Sequence, residues 1–207
     1  MIIRQLLQSV LCISLLSIST FALGSFAENF TSMIKQHELP GAVVLIKKGD
    51  EIIHYDAYGN VNVELAQLMK KDAIFRLYSM SKPITAVALL QLVEQGKVSL
   101  EDDIRKYLPG FEPFEFEGKK QIVTVHQLLS HTAGFGYGGG IKSWVDIRYL
   151  LANPLSRSNT LTDLVDDLSG IDLKYLPGSK FEYSIASDIQ GALIEVVSGM
   201  RLDDYLQ

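Results

Sequence analysis

Ser79 and Lys82 stand three residues apart in Ser79-Met80-Ser81-Lys82. On a helix that spacing puts both side chains on one face. A serine hydroxyl alone is a weak nucleophile, and a neighbouring amine activates it. A lysine buried among other groups is expected to have a lowered pKa and to accept the serine's proton. The amide of a residue at a helix start also faces developing negative charge, as an oxyanion hole requires. The pattern by itself is common: with 18 serines and 13 lysines in the chain, about one match arises by chance. A second match, Ser32 and Lys35, reads as a solvated helix face. Ser79 differs from Ser32 in following the aromatic stretch Phe75-Arg76-Leu77-Tyr78 and preceding a long apolar segment able to anchor it.

Two further segments hold groups with chemical potential. Tyr183, in Phe181-Glu182-Tyr183-Ser184-Ile185, follows the turn residues Pro177-Gly178. A tyrosine there can project into a cleft and, as a phenolate beside a lysine ammonium, act as a base; otherwise it is a packed aromatic. His131, in Leu128-Leu-Ser-His-Thr-Ala-Gly134, is either a base or, as expected here, a residue that orders the backbone through side-chain hydrogen bonds. Gly134-Phe-Gly136-Tyr-Gly-Gly139 matches a dinucleotide fingerprint in letters only. It follows His-Thr-Ala rather than a strand, so a mobile loop at a cleft rim is expected instead. His37, His54, His126 and His131 form no metal-ligand pattern, and neither a metal nor another cofactor is expected. Asn29-Phe30-Thr31 fits a glycosylation acceptor, which matters only in a eukaryotic secretory route.

The elements that must position these groups read as follows. Glu28–Glu38 suits a short helix ended by Pro40-Gly41. Ala42–Ile46 and Glu51–Tyr58 suit two strands joined at Lys48-Gly49-Asp50, a β-hairpin. Residues 60–74 read as loop. Ser79–Gln95 suits a largely buried helix, with Ile84, Val87, Ala88, Leu90 and Leu92 apolar, Pro83 in the first turn and Gly96 as the stop. Ser99/Asp102, Thr124/Gln127 and Thr160/Asp163 each resemble a capping box opening a helix. Ala186–Val197 suits a helix closed by Gly199, and Leu202–Gln207 looks like another helix opening. Two confident strands before a mostly helical remainder suggest a sheet that is incomplete in this chain.

The chain has 207 residues, 47% apolar and 21% charged, which fits a globular protein. Its net charge of −5 gives no electrostatic case for nucleic acid. Residues 1–27 read as a secretory signal: Arg4, an apolar stretch over Leu6–Leu23, and Ser25-Phe26-Ala27 as a cleavage site. An uncleaved anchor is the alternative, given the stretch's length. Cleavage leaves no membrane span and removes Cys12, the single cysteine, so a secreted or periplasmic location is expected.

Four segments in order resemble the serine β-lactamase-related family, which includes class C β-lactamases, D-Ala-D-Ala carboxypeptidases and family VIII esterases. They are Tyr78-Ser-Met-Ser-Lys-Pro83, Leu128-Leu-Ser-His-Thr-Ala-Gly134, Pro177-Gly-Ser-Lys-Phe-Glu-Tyr-Ser184 and Gly191-Ala-Leu-Ile-Glu-Val-Val-Ser-Gly199. The resemblance implies an α+β fold, an antiparallel sheet flanked by helices beside an all-helical lobe at roughly 99–170. Residues 28–207 would be the N-terminal portion of the hydrolase domain. It implies that Ser79 is a nucleophile forming an acyl-enzyme, that Lys82 assists its deprotonation, and that Tyr183 is general base and then acid.

Two departures qualify that expectation. Ile185 stands where the family's Tyr-x-Asn motif has an amide that holds a β-lactam's acylamide. The family's closing Lys/His-Thr/Ser-Gly strand, with the second oxyanion-hole amide, has no counterpart before Gln207. The expectation is therefore a C-terminally truncated, esterase-like serine hydrolase with a small ester as acyl donor. β-Lactamase or carboxypeptidase action on a β-lactam or peptidoglycan-like donor is the alternative. An inactive fragment or binding remnant is the second alternative.

Overall fold

The computed structural model describes residues 27–36, 39–138 and 140–207; the expected signal at 1–27 lies outside them but for its last residue. The chain divides into two compact units, Met1–Arg76 and Leu77–Gln207. No helix among the described residues is long and apolar enough to cross a membrane.

The first unit contains a helix over 27–35 (α1) and a three-stranded antiparallel sheet in the order β1 (Gly41–Lys48), β2 (Glu51–Asn62), β3 (Gln67–Leu68). The hairpin forms where the turn residues predict it. Gly49 takes φ +60° at the first central position, a conformation that suits the twist of a two-residue hairpin loop. The register runs from Gly41↔Gly59 to Lys48↔Glu51, with a bulge that leaves Ile53 without an opposite residue. The 60–74 segment is not loop throughout: β2 continues to Asn62, and Leu68 pairs with Asn60. The short polar run of that segment hid a strand because only two residues of it pair. Phe30 of α1 stacks on Tyr58 of β2 at 5.6 Å.

The second unit is mainly helical: α2 (Lys82–Glu94), α3 (Val125–Leu129), α4 (Trp144–Ala152), α5 (Leu161–Leu168), α6 (Ala186–Ser198) and α7 (Leu202–Tyr205). A short hairpin, β4 (Phe114–Phe116) and β5 (Lys119–Gln121), lies within the expected helical lobe. Its turn, Glu117-Gly118, has φ +51° and +71°, both left-handed as a tight hairpin needs. The Thr124/Gln127 and Thr160/Asp163 boxes close in both directions and start α3 and α5. Ser99/Asp102 does not open an α-helix. The Asp102 amide goes to the Ser99 carbonyl rather than its hydroxyl, the Asp102 carboxylate is shared among Lys106, Tyr107 and the Ser99 amide, and Asp103 caps a single 3₁₀ turn, Ile104–Lys106.

The core is organised around α6, which packs against α2, α3, α5 and α7. Ile189, Leu193 and Ile194 of α6 meet Leu89 and Leu92 of α2 in a cluster with Leu128 and Leu164. Gly191 is small by necessity: a Cβ there would stand 3.0 Å from Leu202 and 3.4 Å from Leu161. The expected largely buried α2 is buried on one face only. Thr85, Ala88, Leu89 and Leu92 are inside, whereas Ile84, Val87 and Leu90 are 44–57% exposed. A helix apolar on all sides buries only the side that finds a partner, here α6.

Candidate active site

The local fold around Ser79 is tighter than an α-helix. Tyr78–Ser81 forms a 3₁₀ turn running into α2, with Pro83 in the first turn of α2 where its missing N–H costs nothing. Tyr78 adopts φ +49°, an outlier for a bulky residue, at the point where the chain turns into Ser79. Ser79 is exposed and Lys82 half-buried.

Tyr183 comes from a segment 104 residues further along the chain, and its hydroxyl lies 2.6 Å from Ser79 Oγ. As a neutral phenol it donates to the serine; as a phenolate it accepts the serine's proton. The Lys82 ammonium lies 5.1 Å from the centre of the Tyr183 ring and 5.6 Å from that of Tyr137. The structure thus brings Ser79, Lys82 and Tyr183 together. They border a pocket of about 360 Å³ whose walls include Pro83, Leu129, His131, Phe181 and Ser187.

The electrostatics differ from the expectation of a neutral lysine base. Partial burial pulls the Lys82 pKa down, but its hydrogen bond to Tyr183 and the negative potential of Tyr137, Tyr183 and Asp188 outweigh it. Lys82 is held above the usual lysine value and stays an ammonium. Tyr183 moves the other way: the Ser79 hydroxyl, then Lys82, favour its phenolate against desolvation and Asp188. Asp188, in the first turn of α6, is pushed up by burial, and its Oδ2 has no hydrogen-bond partner. The two shifts favour a charged lysine beside a tyrosine that ionises more readily than usual.

His131 lies beneath Tyr183, their rings stacked at 5.2 Å. Burial and the Lys82 charge lower its pKa, so it is neutral near pH 7. The first half of the glycine stretch differs from the mobile rim expected of it, whereas Tyr137 and Gly138 are exposed. Residues 133–136 are buried. Gly136 accepts from the Ile185 amide at 3.0 Å and donates to the Tyr149 hydroxyl at 3.1 Å. Gly134, at φ +91°, has no room for a side chain, since a Cβ would meet the Tyr175 carbonyl at 2.3 Å. Ile185 is fully buried as the residue before α6, so its side chain joins the core and offers no polar group to the pocket.

Sequence reasoning missed Tyr137 and Asp188. Tyr137 was hidden inside a glycine pattern, and Asp188 resembled any acid in a helix's first turn; its position five residues after Tyr183 was the available signal. Among the described residues, no group of three or more His, Cys, Asp or Glu side chains is placed to hold a metal ion.

A family model described as Beta-lactamase matches residues 26–207. The chain is 34% identical to Esterase EstB of Burkholderia gladioli over 175 residues, 84% of this chain and 45% of EstB. Among solved structures it resembles EstCE1, described as a hydrolase with promiscuous acyltransferase activity. The TM-score is 0.81 and the identity 31%, over 91% of this chain and 50% of that one. It also resembles the octameric penicillin-binding protein homologue from Pyrococcus abyssi, with a TM-score of 0.69 and 25% identity, over 89% of this chain and 41% of the other. The chain spans about half the length of these relatives, or less.

Proposed function

The chain belongs to the Beta-lactamase family and has its α+β fold, and on that premise we propose that it is a serine hydrolase acting on small-molecule esters through an acyl-enzyme at Ser79. The observation that carries this reading is the 2.6 Å approach of Tyr183 to Ser79 Oγ, beside a lysine held in its charged form. In the proposed reaction, Ser79 Oγ bonds to the acyl carbon as its proton passes to the Tyr183 phenolate. The tetrahedral intermediate collapses, the bond to the leaving oxygen breaks, and Tyr183 gives that proton to the departing alkoxide. Water then attacks the acyl carbon and loses a proton to Tyr183. The tyrosine returns it to Ser79 Oγ as the carboxylic acid leaves. Lys82 keeps the phenolate's charge compensated throughout.

EstB and EstCE1 carry the names of an esterase and of a hydrolase with acyltransferase activity, which supports an ester as the acyl donor. Ile185 supports it too, because a buried apolar side chain supplies no amide to hold a β-lactam's acylamide. A β-lactam or peptidoglycan-like donor is the second reading, favoured by the likeness to a penicillin-binding protein homologue. In either case residues 1–27 are proposed as a signal leading to a secreted or periplasmic hydrolase portion, 28–207.

The test is the intact mass of the purified chain after exposure to a fluorophosphonate and, separately, to a penicillin. A single fluorophosphonate adduct that disappears in Ser79→Ala is expected. A stable penicillin adduct without ester turnover would move the assignment to the second reading. No adduct in either arm would overturn both and leave a non-catalytic chain.

A further inference from the structure

The residue that ends α3 is an unusual one for its place. The Thr132 amide donates to the Gln127 carbonyl at 2.9 Å and the His131 amide to the Leu128 carbonyl at 3.3 Å. This is the closing pattern in which glycine is preferred at the left-handed position. His131 occupies that position at φ +53°. A side chain kept where glycine is easier has a use for that side chain.

The contacts of its carbonyl and its ring fall on residues 181–184. The Glu182 amide donates to the His131 carbonyl at 2.8 Å. The Ser184 amide donates to His131 Nδ1 at 3.3 Å. The imidazole stacks on the Tyr183 ring at 19° between planes and meets the edge of Phe181 at 5.9 Å. The amides on both sides of Tyr183 are thus fixed by one residue, and the ring between them rests on that residue's imidazole.

We propose that His131 is a positioning residue that holds Tyr183 within reach of Ser79, its carbonyl and Nδ1 pinning the two amides that flank the tyrosine. The inference rests on Tyr183 acting as the base. Because Ser184 donates to Nδ1, that nitrogen carries no proton, and the neutral ring's proton sits on Nε2. Protonating His131 would set an N–H against the Ser184 N–H, turn Nδ1 towards the Ser184 hydroxyl at 3.4 Å and release the side-chain half of the clamp, leaving only the carbonyl's hold on the Glu182 amide. The titratable groups around it are Lys82 from α2, Tyr183 itself, Tyr137 from the glycine stretch, and Asp188 of α6 acting through Lys82 and Tyr183. Burial and Lys82 both oppose its protonation, so the Nδ1 half of the clamp holds at neutral pH and is released below the ordinary histidine range.

The test compares His131→Phe, which keeps a ring but no acceptor, with His131→Asn, whose Oδ1 replaces Nδ1 and which tolerates left-handed backbone. Two readouts are used on the full chain. One is the rate of fluorophosphonate labelling per folded molecule, in which an Oγ–P bond forms, P–F breaks, fluoride leaves and the serine's proton passes to Tyr183. The other is the ultraviolet titration of Tyr183, taken as the difference from Tyr183→Phe. His131→Phe is expected to label about 30- to 100-fold more slowly, and His131→Asn only about 3- to 5-fold more slowly, as a displaced base requires. In His131→Phe the Tyr183 titration moves up towards that of free tyrosine. In the wild type the acid limb of labelling steepens from about one proton to about two below the His131 pKa, and His131→Asn keeps about one. Wild-type labelling by His131→Phe with an unmoved Tyr183 titration would overturn the inference. So would a loss of labelling that merely follows the folded fraction measured by thermal melting. Labelling that survives Ser79→Ala would instead overturn the proposed function, while a shifted titration in His131→Phe would still support the clamp.

Discussion

In residues 77–207 the apolar side chains converge: Leu89, Leu92, Leu128, Ile189 and Leu193 are fully enclosed, and α6 is surrounded by four other helices. Among the described residues of 27–76 none is fully buried, and Leu45 and Ile52 of the hairpin are 53% and 56% exposed. Ser79, Lys82, His131 and Tyr183 all belong to the first of these regions. A nucleophile and base that must meet within a few tenths of an ångström need elements whose positions are over-determined by packing. The helical region supplies them. The sheet region is held by its ladder and by Phe30 on Tyr58 rather than by an enclosed core.

The contrast can be broken at its strongest point first. Leu193→Ala should cost about 3–4 kcal/mol as an unfilled cavity in the helical core, whereas Leu45→Ala should cost about 0.5 kcal/mol or less. Chemical denaturation of both variants checks this, and equal costs would erase the distinction between the regions. Next is the pair that ties α4 to the 173–175 segment. Lys174 donates to Asp146 at 2.5 Å, and Asp146 also accepts from the Lys142 amide and the Ser143 hydroxyl. Lys174→Met should cost about 3 kcal/mol, since it leaves a buried carboxylate unpaired. These bonds, led by that from Lys174, hold the Asp146 pKa at about 2, below its ordinary 3.8. A depressed carboxylate stabilises the fold above its unfolded pKa and ceases to as pH falls towards the folded one. Melting temperature should therefore drop between about pH 4 and about pH 2 in the wild type, and less steeply in Asp146→Asn. The smallest effect is at the caps. Thr160→Ala should cost about 1 kcal/mol by opening the box that starts α5, whereas Ser99→Ala, where no helix starts, should stay within about 0.5 kcal/mol.

Those two caps also mark how far the sequence could be read. Signals that act over a few residues were legible: Gly49 at the hairpin turn, Gly96 and Gly199 after their helices, Thr124 with Gln127, and Thr160 with Asp163. Ser99-Leu-Glu-Asp102 has the same letters, but the Asp102 amide bonds the Ser99 carbonyl rather than its hydroxyl and the carboxylate is shared with Lys106 and Tyr107, which spacing does not reveal. The hairpin at 114–121 was missed because its strands are three residues each; α4, longer than α3 and α5, was passed over although Ser143 caps it at the Asp146 amide, and its tie to Lys174 lies 28 residues beyond Asp146. At the site, residue types were legible and their states were not. Lysine and tyrosine could be picked out as partners of Ser79. Which of them holds the proton depends first on burial, on the Ser79 hydroxyl and on the Lys82–Tyr183 hydrogen bond, and only then on Tyr137 and Asp188, all brought together by the fold. A backbone-ordering role for His131 was expected, but that the backbone it holds is the Ser184 amide beside Tyr183, 53 positions on, leaves no local trace.

The central claim is that residues 77–207 deliver Tyr183 to Ser79 as its base. Tyr183→Phe removes one oxygen and keeps the ring that stacks on His131. Its single-turnover acylation by a chromogenic ester, followed against pH with a thermal melt of the same sample, tests that claim most directly. The account predicts a fall of about 10²- to 10⁴-fold with the melt unchanged, and loss of the acid limb that the wild type shows below the lowered Tyr183 pKa. Acylation near the wild-type rate, with the acid limb still present, would contradict it and pass the serine's proton to another group.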